Sequence, residues 1–178
     1  MNKILEQVAT NEETPETAHV SIQKIIVPVD LSEHSENTAS YAIALAKSFR
    51  ASIIFVHIFP PEPITDFTIA DVSLGYTRER DGAKEKLVSF GNKMGRVYPR
   101  CDTQFRIGDL AEEVRRAVLE WNADLVVTAS YNPGFLGHLL GLERAPQIVK
   151  SAPCPVVVYH ETQEVPIDNC GGLVFHED

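Results

Sequence analysis

Positive charge is what this chain has least of. Lys and Arg number 16 against 25 Asp and Glu, for a formal charge of -9. The imbalance sits at the ends. Residues 1–19 hold one Lys and four Glu, and residues 161–178 hold five acidic residues with no Lys or Arg, so the tails carry -8 of the -9. The middle is nearly neutral, and a nucleic-acid-binding surface, which needs clustered cations, is excluded. Long apolar runs are also lacking, and none approaches the roughly 18 residues of a membrane-spanning helix. The opening MNKILEQVATNEETPETAH is too polar for a secretory leader. Cysteine is limited to Cys101, Cys154 and Cys170, an odd and widely spaced set that makes a disulfide framework a poor reading. A reduced, cytoplasmic setting is expected.

Between the tails, apolar runs alternate with amphipathic stretches. Ile25-Ile26-Val27-Pro28-Val29 is a continuous apolar run, the mark of a strand buried on both faces. Ser32 offers an N-cap to a following helix, with Glu33 and Glu36 in its positive first turn and an apolar stripe of Ala39, Ala42, Ile43 and Ala46. Ser52–Phe59 (SIIFVHIF) is a second buried strand, after which Pro60, Pro61 and Pro63 open a long loop expected to reach about Gly75. Ala83, Leu87, Phe90 and Met94 share one face of a second helix. Cys101–Ile107 alternates in the manner of a half-exposed edge strand, with Thr103, Phe105 and Ile107 on one face and Gln104 and Arg106 on the other. Asp109 caps a third helix, with Glu112 placed for a capping box and Val114, Ala117, Val118 and Trp121 facing the core. Asp124–Thr128 and Pro155–Tyr159 are two more apolar strands, separated by a short helix near 144–151 that tolerates Pro146 in its first turn.

Five strands alternating with four helices predict an α/β fold: a three-layer sandwich around a five-stranded parallel, doubly wound sheet of the flavodoxin-like or adenine nucleotide alpha hydrolase-like kind. Residues 22–160 form the expected domain, flanked by flexible acidic extensions at 1–21 and 161–178. The tail segment Gly171-Gly172-Leu173-Val174-Phe175 has the composition of a short strand or clasp. Ligands of such sheets sit beyond the carboxyl ends of the strands where the winding reverses, so the turns after Val29, Phe59 and Thr128 are the places to look. Pro28 cannot donate to a sheet ladder; a distortion beside a site and a plain strand end both explain it.

Several segments together resemble the universal stress protein family: Ile25–Asp30 (IIVPVD), Ser32–Glu36, Phe55-Val56-His57-Ile58, Gly108-Asp109 with its helix, Ala123–Val127, and Ala152-Pro153-Cys154-Pro155-Val156-Val157-Val158. They occur in the family's order over about residues 22–160. The resemblance implies a homodimer paired through the last strand, here Pro155, Val156, Val157, Val158 and Tyr159, and a role in stress regulation with an unidentified protein partner rather than catalysis. Many members bind ATP. The adenosine contacts it implies fall on Pro28, Val29, Asp30 and Ile58, with Ala129 and Ser130 opening the phosphate loop.

That loop departs from the family's Gly-x-x-Gly-x9-Gly-Ser/Thr pattern. In register with Ala152-Pro153-Cys154, its glycines become Ala129, Asn132 and Leu142, and its hydroxyl residue becomes Glu143. A one-residue gap restores Gly141 but puts Leu142 at the hydroxyl position. Backbone N–H groups reach phosphate oxygens most easily where no Cβ intervenes. Gly134, Gly137 and Gly141 keep a different anion cradle open. The expectation is therefore a regulator that does not hold ATP in the family's usual mode. The alternative is a nucleotide-binding switch, at most a slow ATPase, for which ATP or another adenine nucleotide is the candidate cofactor.

Other chemistries fit less well. Asp30-Leu31-Ser32-Glu33-His34 has no glycine for a dinucleotide fingerprint, and no P-loop is present. Thr128–Tyr131 supplies neither the acids nor the lysine of a phosphoacceptor site. Ser130 lacks a nucleophile elbow, and His57 in FVHI reads as a packed core histidine. His160, Cys170 and His176 match no zinc spacing. Cys154 lies near no close basic residue but Lys150 and is not expected to be reactive. The last strand, apolar and at or near an edge, needs a cover: a two-fold partner or the chain's own Leu173–Phe175.

Overall fold

The computed structural model describes residues 21–62, 70–130 and 144–160. The tail segment Leu173–Phe175, with Cys170 and His176, lies outside them.

Five strands form one parallel sheet: β1 (Lys24–Pro28), β2 (Ser52–Phe59), β3 (Cys101–Ile107), β4 (Leu125–Ser130) and β5 (Val156–His160). The helices between them are α1 (Glu33–Phe49), α2 (Ala70–Val97), α3 (Leu110–Trp121) and α4 (Arg144–Ser151). The spatial order is β3-β2-β1-β4-β5. The chain winds outward from β1 to β3, then crosses to β4 and winds the other way. This is the doubly wound α/β sheet that the alternation of elements predicts.

The unbroken apolar runs of β1, β2 and β4 follow from burial on both faces. Ile25 and Val27 join α1 and α2 in one core with Ile53, Phe55, Leu125 and Val127. Ile26, Val56 and Val126 face the opposite way, into a second core with α3 and α4. Phe55 meets Phe90 of α2 edge to face, their ring centres 5.2 Å apart. Residues Leu87, Phe90 and Met94 are buried, as the helical spacing requires. Trp121 is half-buried, with the Lys24 ammonium 5.7 Å above its ring.

Helix ends follow local chemistry. The Asp109 side chain accepts from the Glu112 N–H at 3.0 Å and caps α3. The reciprocal half of the capping box is not made, because the Glu112 carboxylate instead accepts from Arg116 at 2.5 Å. Arg50 and Asn122 close α1 and α3 in the left-handed conformation. α2 differs from expectation. It starts at Ala70, so Gly75 lies inside the helix rather than ending the loop. A Cβ at Gly75 would meet nothing within 4 Å, so that glycine marks no close approach.

Gly91 does mark one. α2 lies so near β3 that a Cβ at Gly91 would stand 2.7 Å from the Thr103 Cγ2. Gly91→Ala is expected to destabilise the protein by about 1–3 kcal/mol through overpacking, despite alanine's better helix propensity. Adding Thr103→Ser, which removes that methyl, is expected to restore part of the loss. Thermal melting of both variants checks this, and a Gly91→Ala protein melting above the wild type contradicts it.

Candidate functional site

The crevice at the winding reversal is built by a change in pairing. β1 pairs with β2 at five positions, from Lys24↔Ser52 to Pro28↔Val56, but with β4 at only Ile25↔Leu125 and Ile26↔Val126. Beyond Ile26 the ladder to β4 has ended. A cleft of about 670 Å³ lies there, lined among others by Pro28, Val29, Asp30, Ile58, Thr128, Ala129 and Ser130.

Pro28 is the last residue of β1. The backbone of Val29 bonds toward β2, its N–H meeting the Val56 carbonyl at 2.9 Å. Because backbone groups alternate sides along a strand, the N–H that Pro28 lacks would point the other way, where pairing with β4 has stopped. Of the two explanations for this proline, the strand end is the correct one, and it falls on the rim of the cleft.

Asp30 follows. Its Oδ1 accepts from the Ser32 N–H at 3.1 Å, the Ser32 hydroxyl at 2.5 Å and the Ser35 hydroxyl at 2.5 Å. Ser35 Oγ also accepts from the Asp30 N–H at 2.9 Å. Leu31 turns the chain in the left-handed conformation, φ 63°, which costs an L-residue with a Cβ about 1 kcal/mol or more. Leu31 packs against the core, which compensates that strain. Ser32 stands at the N-cap position of α1 but makes no side-chain cap bond, since its hydroxyl is committed to Asp30. The sequence reading of Ser32 as a capping side chain is corrected accordingly.

More of the lining comes from β2 and the turn after β3. His57 is buried, its Nδ1 2.9 Å from the Val29 carbonyl, and its ring lies 5.7 Å from Phe105. It is the packed core histidine that FVHI suggests, yet it also lines the cleft. Phe59, Pro60 and Pro61 form a lip, and Gly108 and Asp109 lie beside it. Gly108 has φ 154°, and a Cβ there would stand 2.8 Å from the Glu113 Cγ.

Glu113 is held in place by Arg106 Nη1 and Arg116 Nη1, each at 3.1 Å. Arg106 also donates to Glu120. Burial works against the Arg106 charge, but the hydrogen bonds to Glu120 and Glu113 outweigh it and raise its pKa. The same hydrogen bond holds Glu120 below the ordinary carboxylate range, against a smaller opposing effect of burial. β3 is the edge strand that its alternation predicts, but the face assignment hid this network. The Arg106 side chain is only 10% exposed whereas Ile107 is 45% exposed.

Sequence reasoning missed other lining groups. His34, Ser35 and Thr38 reach the cleft from α1, and Tyr159 from β5. The i, i+4 spacing of His34 and Thr38 was a usable signal. Tyr159 stacks on Tyr41 of α1 with ring centres 5.0 Å apart. The expected phosphate-loop residues Asn132, Gly134, Gly137, Gly141, Leu142 and Glu143 lie outside the described residues. Among the described residues no cluster of three or more His, Cys, Asp or Glu is placed to hold a metal. Burial pushes the Cys101 and Cys154 thiols upward, with Asp102 and Asp124 adding to the effect, so neither is an activated nucleophile. No helix among the described residues is long and apolar enough to cross a membrane.

A parallel sheet whose winding reverses between β1 and β4 defines the class of doubly wound α/β domains. Within that class the comparisons are specific. The model of the universal stress protein family matches residues 21–160. A universal stress protein of Thermus aquaticus is 28% identical over 134 residues, 75% of this chain and 96% of that protein. Universal stress protein G of Shigella flexneri is 30% identical over 138 residues, 75% of this chain and 96% of its own. The universal stress protein UspA of Lactobacillus plantarum superposes with a TM-score of 0.65 at 18% identity, covering 79% of this chain and 99% of that one. Two further solved structures are a universal stress protein in complex with cAMP (TM-score 0.62, 16% identity, covering 80% and 99%) and one from Archaeoglobus fulgidus in complex with dAMP (0.53, 18%, covering 78% and 98%). The chain belongs to the universal stress protein family.

The Ser35 hydroxyl is the hinge of the Asp30 turn. Ser35→Ala is expected to cost about 1–2 kcal/mol, because it leaves the Asp30 N–H and carboxylate without that partner. Urea unfolding checks it; an unchanged midpoint would show that the turn holds without the hydroxyl.

Proposed function

We propose that this protein is a cytoplasmic stress-response regulator that acts by binding rather than catalysis, as a homodimer, with the β1/β4 cleft as receptor for an adenine nucleotide carrying fewer phosphates than ATP. The observation that carries the reading is Asp30: a carboxylate at the carboxyl end of the central strand, its backbone and one oxygen fixed by two serines, on the rim of a cleft. A carboxylate so fixed is suited to accept hydrogen bonds from an adenine amino group or a ribose. The cleft size suits a nucleotide-sized ligand. The cAMP and dAMP complexes of two related structures support the same ligand class.

The family's triphosphate mode fits this chain less well. Ala129, at the first expected glycine position, lines the cleft with a Cβ where bare backbone is wanted. Asn132, Leu142 and Glu143 at the remaining positions add bulk and a negative charge to that loop. Titration calorimetry with adenosine, AMP, cAMP and Mg-ATP tests the reading. AMP or cAMP is expected to bind, with Asp30→Ala weakening the complex about tenfold or more. Absence of binding by all four compounds overturns it, and a Mg-ATP complex tighter than AMP overturns the phosphate argument.

The dimer rests on β5. It pairs with β4 on one side, and among the described residues nothing pairs with its other edge. Val156, Val157, Val158 and Tyr159 are all partly exposed. The Pro155 carbonyl points to β4, accepting from the Val126 N–H at 3.0 Å, so alternation turns the backbone groups of Val156 and Val158 outward. An unpaired strand of this kind is a template for a second copy. Val158→Pro removes an outward N–H and leaves the β4 ladder intact. Sedimentation is expected to show a wild-type dimer and a folded monomeric variant; a variant that remains dimeric refutes pairing through β5.

A further inference from the structure

The lip of the cleft is fastened from outside by a residue that touches no expected ligand position. Phe59 ends β2, and with Pro60 and Pro61 after it lines the cleft. Two hydrogen bonds hold their carbonyls: the Gly108 N–H donates to the Phe59 carbonyl at 3.0 Å, and the Tyr76 hydroxyl of α2 donates to the Pro60 carbonyl at 3.0 Å. The Tyr76 ring also meets Phe59 edge-on at 5.4 Å, the ring planes inclined by 62°, and Phe59 lies 6.0 Å from Phe105. Lys84, two turns beyond Tyr76 on α2, sits 5.5 Å over Phe105. Neither Pro60 nor Pro61 has a backbone N–H of its own to fix the lip, so the carbonyl contacts are the polar anchors available to it.

The two anchors differ in rigidity. Gly108 is backed by Glu113, which Arg106 and Arg116 clamp from two sides. Tyr76 is a single side chain reaching across from the second turn of a 28-residue helix.

We propose that Tyr76 is a positioning residue for ligand binding: its hydroxyl, bonded to the Pro60 carbonyl, fixes the Phe59–Pro61 lip at the width a ligand requires and couples the N-terminal part of α2 to the cleft. This rests on the nucleotide-binding reading above. The bond lies at the surface, so its loss is felt in the pose of the lip more than in the stability of the fold. Phe105, Phe59 and the ring of Tyr76 keep the apolar contact when only the oxygen is removed.

The test is Tyr76→Phe, compared with Tyr98→Phe as a control at the far end of the sheet. The Tyr98 hydroxyl is buried and donates to the Ala51 carbonyl, well away from the cleft-lining residues. AMP binding by calorimetry, thermal melting and amide hydrogen exchange are measured on the full chain. Tyr76→Phe is expected to raise the AMP dissociation constant about threefold to tenfold, the worth of one hydrogen bond. Its melting temperature is expected to stay within about 2 °C of wild type, and exchange at the Gly108 amide to quicken selectively. Tyr98→Phe is expected to lower the melting temperature and leave the dissociation constant unchanged. Wild-type affinity with an unaltered Gly108 amide in Tyr76→Phe overturns the positioning role while the nucleotide reading stands. Parallel changes of affinity and melting in both variants also overturn it, since that is what a merely structural role produces. Wild-type protein that ignores AMP overturns both.

Discussion

The interaction on which the rest depends is the short ladder between β1 and β4. Two paired positions, Ile25↔Leu125 and Ile26↔Val126, join the two halves of the sheet. Burial of Ile26 and Val126 on one face and of Ile25 and Leu125 on the other secures that joint from both sides. Every feature of the cleft follows from the ladder ending where it does. Had β1 and β4 stayed paired to their carboxyl ends, Pro28 would break a hydrogen bond and no crevice would exist. With the ladder stopped, Pro28 costs nothing there, and the chain turns at Asp30 and Leu31 beside the crevice.

The constraint then passes to the turn. Asp30 must leave the sheet and enter α1 within a few residues, which forces Leu31 into the left-handed region. Ser32 and Ser35 hold the resulting bend by bonding the Asp30 carboxylate and N–H. The N-terminus of α1 gives up a side-chain cap in consequence. Locally that is a loss of about 1 kcal/mol. A carboxylate fixed at the cleft rim is what is obtained in return. Departures from local optimality of this kind collect at binding sites.

Much of this fold was legible because its signals are one-dimensional. Buried parallel strands are short apolar runs, and amphipathic helices repeat every three to four residues; both survive in the sequence without any knowledge of partners. The turns after Val29, Phe59 and Thr128 could be placed at the cleft because a strand end is a local property, whereas Asp30 and Ile58 were named by the family resemblance. The parts that were not legible depend on distant neighbours. Arg106 reads as the polar face of an edge strand, and only the approach of α3, with Glu113 and Glu120, turns it into a nearly enclosed cation. Gly75 reads as a loop terminator because a glycine after three prolines usually is one; tertiary context extends α2 through it. Ser32 reads as a cap because its competition for Asp30 cannot be seen in composition.

The same distinction separates the two walls of the cleft. The β1 wall, from Pro28 through Ser35, is contiguous in sequence, and its Asp30 turn is fixed by bonds to Ser32 and Ser35. The β2–β3 wall is assembled from Phe59–Pro61, Gly108 and, from behind, Tyr76 and Glu113, segments that are far apart in the chain. A wall of the first kind keeps its shape wherever the turn folds. A wall of the second kind keeps its shape only while two helices remain in register with the sheet. Displacements of α2 or α3 therefore act directly on that wall. If the cleft binds as proposed above, this second side is the one through which helix packing and ligand occupancy would inform each other.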